Sequence, residues 1–307
     1  MIDITLGRFS CPFAEWIPAQ GRVFDGLFAY DTETTKIDDD RPYLTPHLVL
    51  ASACDDWKGV LVPRAEVPAF FAAHAGQGFV AHNAAFDLKV TQAALGEGPD
   101  LYDLVERSKV WDTMILKRLL SLATAGHTAR GEAGLDDCVQ AHLGLALPKG
   151  LVDAEGRDVR IGFGRFLGRP LAEVPEVYLR YASGDPLATW YLFRELNERI
   201  KDVLRDAPKV WGYVDAGWLR DSIRRFGPLT HHIQLRASIV TDVLRPTASP
   251  STRPAGPRSS SSSRPSATRP RRRCAGPATW WASPAATRPC SRSWPSSPAS
   301  TPRSSWP

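Results

Sequence analysis

From Pro246 to Pro307 the chain contains no Ile, Leu, Val, Met, Phe or Tyr. That absence confines any packed core to residues 1–245, because a segment without aliphatic side chains cannot bury enough apolar surface to offset the entropy of ordering it. These 62 residues use only Pro, Thr, Ala, Ser, Arg, Gly, Cys and Trp, with 13 prolines and 16 serines, the composition of a disordered tail. The same eight types are those with C or G available at the second codon position. A GC-rich gene read out of frame produces such an alphabet, and Trp280, Trp281, Trp294 and Trp306 fit TGG codons met in that way. The expectation is a coding frame lost near Arg245. The competing reading is a genuine arginine-rich tail that binds nucleic acid, densest at Arg271-Arg272-Arg273.

The tail also distorts the charge balance. Removing its 10 arginines from 38 basic residues leaves 28 against 33 acidic ones, so residues 1–245 carry a net −5 although the whole chain carries +5. The foldable part therefore has no global basic footprint for a polyanion. A polyanionic partner would have to be drawn in locally, through bound cations, or by an attached partner. Cys11, Cys54, Cys138, Cys274 and Cys290 form no CxxC pair, so neither a zinc site nor a disulfide framework is expected. Met1-Ile2-Asp3-Ile4-Thr5 does not open a secretory signal, and apolar runs such as Leu48-Val49-Leu50-Ala51 are too short to cross a bilayer. No membrane partner and a cytoplasmic location are expected.

Within residues 1–245, Gly26 to Tyr30 reads as a buried strand that delivers Asp31 and Glu33 at its end. His47–Cys54 and Gly59–Val62 read as an antiparallel pair joined through the charged stretch Asp55 to Lys58. Val67–His74 is a short predicted helix, Gly78–Ala81 a fourth strand, and Ala84–Leu95 a helix that Asn83 can cap. Lys109–Trp111 is a fifth strand. Asp112 then opens a helix through Leu120, followed by a loop from Ala123 to Gly134, a helix over Leu135–Leu143, and helical sequence from Leu171 to Ile200. Three strands in a meander, then helix, strand, helix and strand, predict an α/β ribonuclease-H-like mixed sheet, antiparallel and parallel, flanked by helices. Gly212 to Arg245 adds one or two helices. Leu229, Ile233, Ile239, Val240 and Leu244 fall near one apolar face of these, fit either to open a further domain or to dock back on the core.

Three acidic blocks carry the chemistry: Phe28-Ala29-Tyr30-Asp31-Thr32-Glu33-Thr34-Thr35, Val80-Ala81-His82-Asn83-Ala84-Ala85-Phe86-Asp87, and Tyr181-Ala182-Ser183-Gly184-Asp185. Asp31 and Glu33 are two apart, so on an extended strand both carboxylates point to one face and Thr32 to the other. Carboxylates converging in this way repel unless a cation lies between them, and hard oxygen ligands favour Mg²⁺ or Mn²⁺ over Zn²⁺. Taken alone, the block also fits a solvated acidic turn. Tyr181 and Asp185, at i and i+4, share a helix face, although a half-buried tyrosine beside an exposed acid gives the same spacing. Asp87 has apolar neighbours, so it is either near the surface or held by a charge partner.

In combination the blocks resemble the three motifs of the DEDD superfamily of 3′–5′ exonucleases. The Tyr-x-x-x-Asp form resembles its tyrosine-bearing branch. Phe28 to Thr34, Tyr181 to Asp185, and Asp112-Thr113-Met114 with Leu119-Leu120 are similar to the proofreading domain of family-A, DNA polymerase I-like enzymes. The resemblance covers roughly residues 22–200. It implies that Asp31, Glu33 and Asp185 ligate a first cation, that Asp31 also bridges to a second, and that Asp87 acts through water. Tyr181, with Glu33, orients the attacking water, in two-metal hydrolysis with ions about 3.5–4 Å apart. Thr32, Thr34, Asn83 and Phe86 are the implied substrate contacts, Phe86 by base stacking.

The implied organisation is an exonuclease domain over 1–205, a helical extension over 206–245 that could start a lost polymerase domain, and the tail 246–307. The implied substrate is a single-stranded DNA 3′ end. A 3′–5′ exoribonuclease and a catalytically idle polymerase fragment are the competing readings. Pro186, directly after Asp185, departs from a regular helix: it removes the bond to the carbonyl of Ala182, at about 3 kcal/mol. It is expected to kink the helix and leave the site intact.

Overall fold

The computed structural model describes residues 1–41, 43–128, 131–148, 150–210, 212 and 215–244. The expectations about the tail and the frame near Arg245 lie outside these residues.

Among the described residues seven strands form one sheet: β1 (Ile2–Leu6), β2 (Phe9–Glu15), β3 (Phe28–Thr34), β4 (Leu48–Cys54), β5 (Gly59–Pro63), β6 (Phe79–Ala81) and β7 (Val110–Asp112). Their spatial order is β1-β2-β5-β4-β3-β6-β7. The meander β3-β4-β5 is antiparallel, as is β1-β2, whereas β2-β5, β3-β6 and β6-β7 are parallel. The mixed sheet expected from the sequence is present, enlarged by the β1-β2 hairpin that the sequence reading missed. Pro12 inside β2 argues against a strand there. However, β2 pairs with β5 only from Phe13 onward, so the ladder on that side needs no N–H from Pro12.

Two apolar layers cover the sheet, because successive strand residues face opposite sides. Ala29, Leu50, Leu61 and Val80 face the long helix α7 (Glu176–Val210), packing on Tyr178, Ala182, Leu187 and Leu192, with Val139 of α5 (Leu135–Leu143) in the same layer. Phe28, Tyr30, Ala51 and Val62 face the other side, against Phe70 of α1 (Val67–Ala73) and Leu88 of α2 (Ala84–Leu95). Between these, α3 spans Tyr102–Glu106, α4 Thr113–Ala125 and α6 Val159–Gly162.

Several boundaries differ from expectation for local reasons. β3 does not stop before the acids; it carries Asp31 and Glu33 inside the ladder, paired with Ser52 and Leu50 of β4. α4 continues past Leu120 to Ala125 and ends where Gly126 adopts φ 75°, a conformation suited to glycine. The segment after Leu171 is a separate 3₁₀ turn, Leu171–Glu173, and α7 begins only at Glu176. Val174, which precedes Pro175, is extended (φ −85°, ψ 123°), as residues before proline tend to be.

After α8 (Ala216–Phe226), helix α9 (His231–Leu244) returns to the sheet's second face. Leu235 is 1% exposed there and Ile239 packs beside it, while Ile233 and Val240 remain exposed. Of the predicted stripe, Ile239 and Leu229 pack against the core, while the most buried apolar residue of α9, Leu235, lies outside that stripe. No helix among the described residues is long and apolar enough to cross a membrane.

Candidate metal centre

β3 alternates its side chains so that Asp31 and Glu33 follow Ala29 onto the α7 face. α7 brings Asp185 to the same place. Asp31, Glu33 and Asp185 each present a carboxylate oxygen, and these oxygens lie within 4.8 Å of one another. Tyr181, one turn earlier on α7, lines the same cavity as the three acids.

Asp87 arrives from the opposite layer. It lies in the first turn of α2, is 3% exposed, and accepts a 2.6 Å hydrogen bond from the Thr32 hydroxyl. Thr32, read from the sequence as a substrate contact, is thus a buried tether of Asp87 that also lines the cavity. The same cavity, about 380 Å³, is lined by Asp31, Glu33, Asp87, Tyr181 and Asp185, so four carboxylates share one space although only three form the tight group.

The capping expected of Asn83 is absent: its backbone is left-handed (φ 70°, ψ 50°) and its side chain caps nothing. Asp112 does this work instead. Wholly buried, it accepts from the amides of Ala84 (2.8 Å) and Asn83 (3.3 Å) at the start of α2, and from that of Ile115 (3.1 Å) in α4. Its own amide donates to His231 Nε2 at 2.9 Å, which ties α9 to the same point. One carboxylate thus fixes the first turn of α2, and with it the position of Asp87.

The electrostatics are those of clustered anions. Burial, then the charges of Asp87, Asp185 and Glu33, pushes the Asp31 carboxyl well above the usual carboxylate range. Burial, followed by Asp185 and Asp87, does the same to Glu33. Burial raises Asp185 to about 6 and Asp87 to about 7. Glu33 is 7% exposed and its Oε1 has no hydrogen-bond partner. A buried, unpartnered carboxylate oxygen is costly. The Glu33 carboxylate belongs to a set of hard oxygen donors that a divalent cation would satisfy. The residues present therefore fit such a cation.

Sequence reasoning missed Arg160, which lines this cavity and whose positive charge favours the anions of Asp185 and Glu33, opposing the rise in their pKa values. No motif marks it. Its place depends on a fold in the preceding segment, where buried Asp153 accepts hydrogen bonds from the amides of Glu155 and Arg157, from Arg165 at 2.6 Å, and from the Tyr178 hydroxyl at 3.0 Å.

A second, larger cavity of about 790 Å³ adjoins the first and shares His82, Arg160, Tyr181 and Asp185 with it. Asn83 and Arg118 line the larger space; Thr34 and Phe86 line the smaller. His82 bonds Thr113 Oγ1 (2.8 Å) and the Ala133 carbonyl (2.9 Å), and burial lowers its pKa to about 4, so it is a neutral anchor for the segment around Ala133.

A family profile described as 3′–5′ exonuclease matches residues 20–201. No curated protein shows a significant sequence match. Similar solved structures include Brucella melitensis NrnC bound to pGG, at 15% identity over 77% of this chain and 92% of that one, with a TM-score of 0.43. Escherichia coli RNase D, an exoribonuclease involved in structured RNA processing, matches at 17% identity over 70% and 44% with a TM-score of 0.42. The catalytic core of RRP6 from Trypanosoma brucei (mutant C496S) matches at 15% over 75% and 54% with a TM-score of 0.45.

Proposed function

Given that the chain belongs to the 3′–5′ exonuclease family, whose profile spans residues 20–201, we propose that it removes nucleotides from the 3′ end of single-stranded DNA with the help of divalent cations. The observation that carries the metal reading is the convergence of Asp31, Glu33 and Asp185 within 4.8 Å, with Glu33 Oε1 buried and unpartnered.

In this reading Asp31, Glu33 and Asp185 hold a first cation, and Asp31 with Asp87 serves a second, Mg²⁺ or Mn²⁺ in each case. Bound there, the cations supply Lewis-acid stabilisation of the phosphoryl oxygens and raise the acidity of water. The chain's own groups do the rest. The Tyr181 hydroxyl, at the cavity wall beside Glu33, orients the attacking water. Its pKa is raised, by burial and by the charges of Asp185 and Glu33, so it stays protonated and acts as a hydrogen-bonding group. Arg160 meets a non-bridging phosphate oxygen, and Phe86 and Asn83 contact the terminal nucleotides. The adjoining 790 Å³ space, flanked by Arg118 and Arg160, is where the strand behind the terminal nucleotide would lie. Preference for DNA rests on the DNA polymerase-like form of the three sequence blocks. The domain limits 1–205 and 206–245, and a polymerase domain lost beyond them, remain part of the proposal.

The test is hydrolysis of a 5′-labelled single-stranded DNA with Mg²⁺, beside RNA of the same sequence and the Asp31→Ala variant. Stepwise shortening of DNA from its 3′ end, abolished in Asp31→Ala, is the expected result. Faster shortening of RNA would make the protein an exoribonuclease, and silence on both would make it an idle fragment. Equal activity in Asp31→Ala would overturn the mechanism.

A further inference from the structure

α7 runs unbroken through Pro186, the residue directly after Asp185. In a regular helix the amide of residue 186 donates to the carbonyl of Ala182, and proline has no N–H to give. An unpaired carbonyl at this buried position costs as much as a lost hydrogen bond. The bond is supplied from outside the helix: the Ser52 hydroxyl donates to the Ala182 carbonyl at 2.6 Å, and both residues are wholly buried.

The location of this substitute bond matters more than its strength. Ser52 lies on β4, paired in register with Asp31 on β3. Ala182 adjoins Tyr181 and lies three residues before Asp185. A single hydroxyl thus ties the strand pair that presents Asp31 to the helical turn that presents Tyr181 and Asp185. It does so at a peptide whose regular helical donor, the amide of residue 186, is missing. Strand and helix are otherwise held here by apolar packing, which tolerates small sliding; a directional bond does not.

We propose that Ser52 is a positioning residue for the cation site, standing in for the amide that Pro186 lacks and thereby setting the distance between the Asp185 carboxylate and those of Asp31 and Glu33. This rests on the reading of those three acids as cation ligands. Outer partners that orient metal ligands typically account for about 10–100-fold in metal affinity or activity, and ligand sets tolerate displacements of only about 0.5 Å.

The proposal makes Ser52 and Pro186 interchangeable in a way no general packing role would. Replacing Pro186 by Ala restores the amide donor to the Ala182 carbonyl, after which Ser52 is no longer needed. The experiment compares the full-length parent with Ser52→Ala, Pro186→Ala, the double variant and Asp31→Ala. It reads Mn²⁺ affinity by calorimetry or by electron paramagnetic resonance, well below each protein's unfolding temperature, together with kcat at saturating Mg²⁺. Ser52→Ala is expected to weaken Mn²⁺ binding about 10-fold, while the double variant stays within about 2-fold of Pro186→Ala. Equal losses from Ser52→Ala in both backgrounds, or no loss in either, would overturn the proposal. If Ser52→Ala does not fold, Ser52→Cys, a weaker donor of similar size, is read against the same two outcomes. Asp31→Ala separates the two levels. If it binds Mn²⁺ like the parent, the ligand reading itself fails. If it loses Mn²⁺ while Ser52→Ala does not, only the role of Ser52 fails.

Discussion

The Thr32 hydroxyl and the Asp87 carboxylate meet at 2.6 Å across the layer of α2, on the side of β3 away from Asp31 and Glu33. The alternation of a single strand therefore serves two functions. Odd residues present the tight acidic group, and the even residue between them holds the fourth acid at the rim of the same cavity.

Burial pushes the Asp87 carboxyl up to about 7, even though the Thr32 hydrogen bond favours its anion. Its folded-state value thus lies above the unfolded value of about 3.9. The folded, metal-free protein binds the extra proton, and the stability this confers is lost as pH rises from about 4 through about 7. Asp87→Asn mimics the protonated form. In chelator at pH 8 it should melt a few degrees above the parent, with the difference closing toward pH 4, and it should be inactive with Mg²⁺. A lower melting temperature than the parent at pH 8 would contradict the assignment of a costly buried charge.

Arg160 is exposed at the cavity rim, and its charge opposes the rise in the Asp185 and Glu33 pKa values. Arg160→Ala should therefore move the acid limb of Mg²⁺-dependent activity to higher pH. As a phosphate contact it should also raise KM on a labelled oligonucleotide about 10–100-fold, on the scale of one charge-assisted hydrogen bond. An unchanged pH profile would remove Arg160 from the site.

Tyr181 shares the cavity with the acids but is not one of the clustered ligand groups. Tyr181→Phe should lower kcat by about 10²-fold, the lower range for a positioned proton-transfer or water-orienting group. Mn²⁺ affinity should change less than about 2-fold. Parallel losses in kcat and Mn²⁺ affinity would show that the phenol supports the ligand set itself.

Asp112 joins the starts of α2 and α4 and meets His231 of α9. Asp112→Ala strands three amides in the interior and should cost about 2–4 kcal/mol. This would be read as a lower urea midpoint at unchanged slope. A loss below about 0.5 kcal/mol would mean that other groups cap these helices.

Much of the site was legible because its signals are local. A two-residue spacing on a strand and a four-residue spacing on a helix each determine a shared face without knowledge of the rest of the chain, which is why Asp31 with Glu33 and Tyr181 with Asp185 could be paired from sequence. The strand meander and α2 were legible for the same reason, since apolar runs bounded by turn residues report on their own backbone. β2 was missed because Pro12 interrupts it and its partner in the larger sheet lies 46 residues beyond Phe13, at Gly59; β1, which pairs with β2, was missed with it.

Asn83 and Thr32 show where local rules stop. Asn83 has the chemistry of a helix cap and the correct position, yet its side chain caps nothing, and it is Asp112, 29 residues away, that accepts the first amides of α2, those of Asn83 and Ala84. Thr32 has a hydroxyl beside two acids, and only the packing of α2 beneath β3 turns it toward Asp87. Pro186 reads as a defect in the sequence because its compensating donor, Ser52, is 130 residues distant from the Ala182 carbonyl it bonds.

The amino-acid order by itself determined which side chains are acids, which of them share a face, and where apolar runs end, because these follow from the fixed repeats of strand and helix. Tertiary structure alone decided which acids crowd within 4.8 Å, which one is held apart by a hydroxyl, and which distant donor completes a helix broken in its hydrogen bonding by proline. Those outcomes depend on distances between elements, and such distances are set by how two apolar layers close on one sheet.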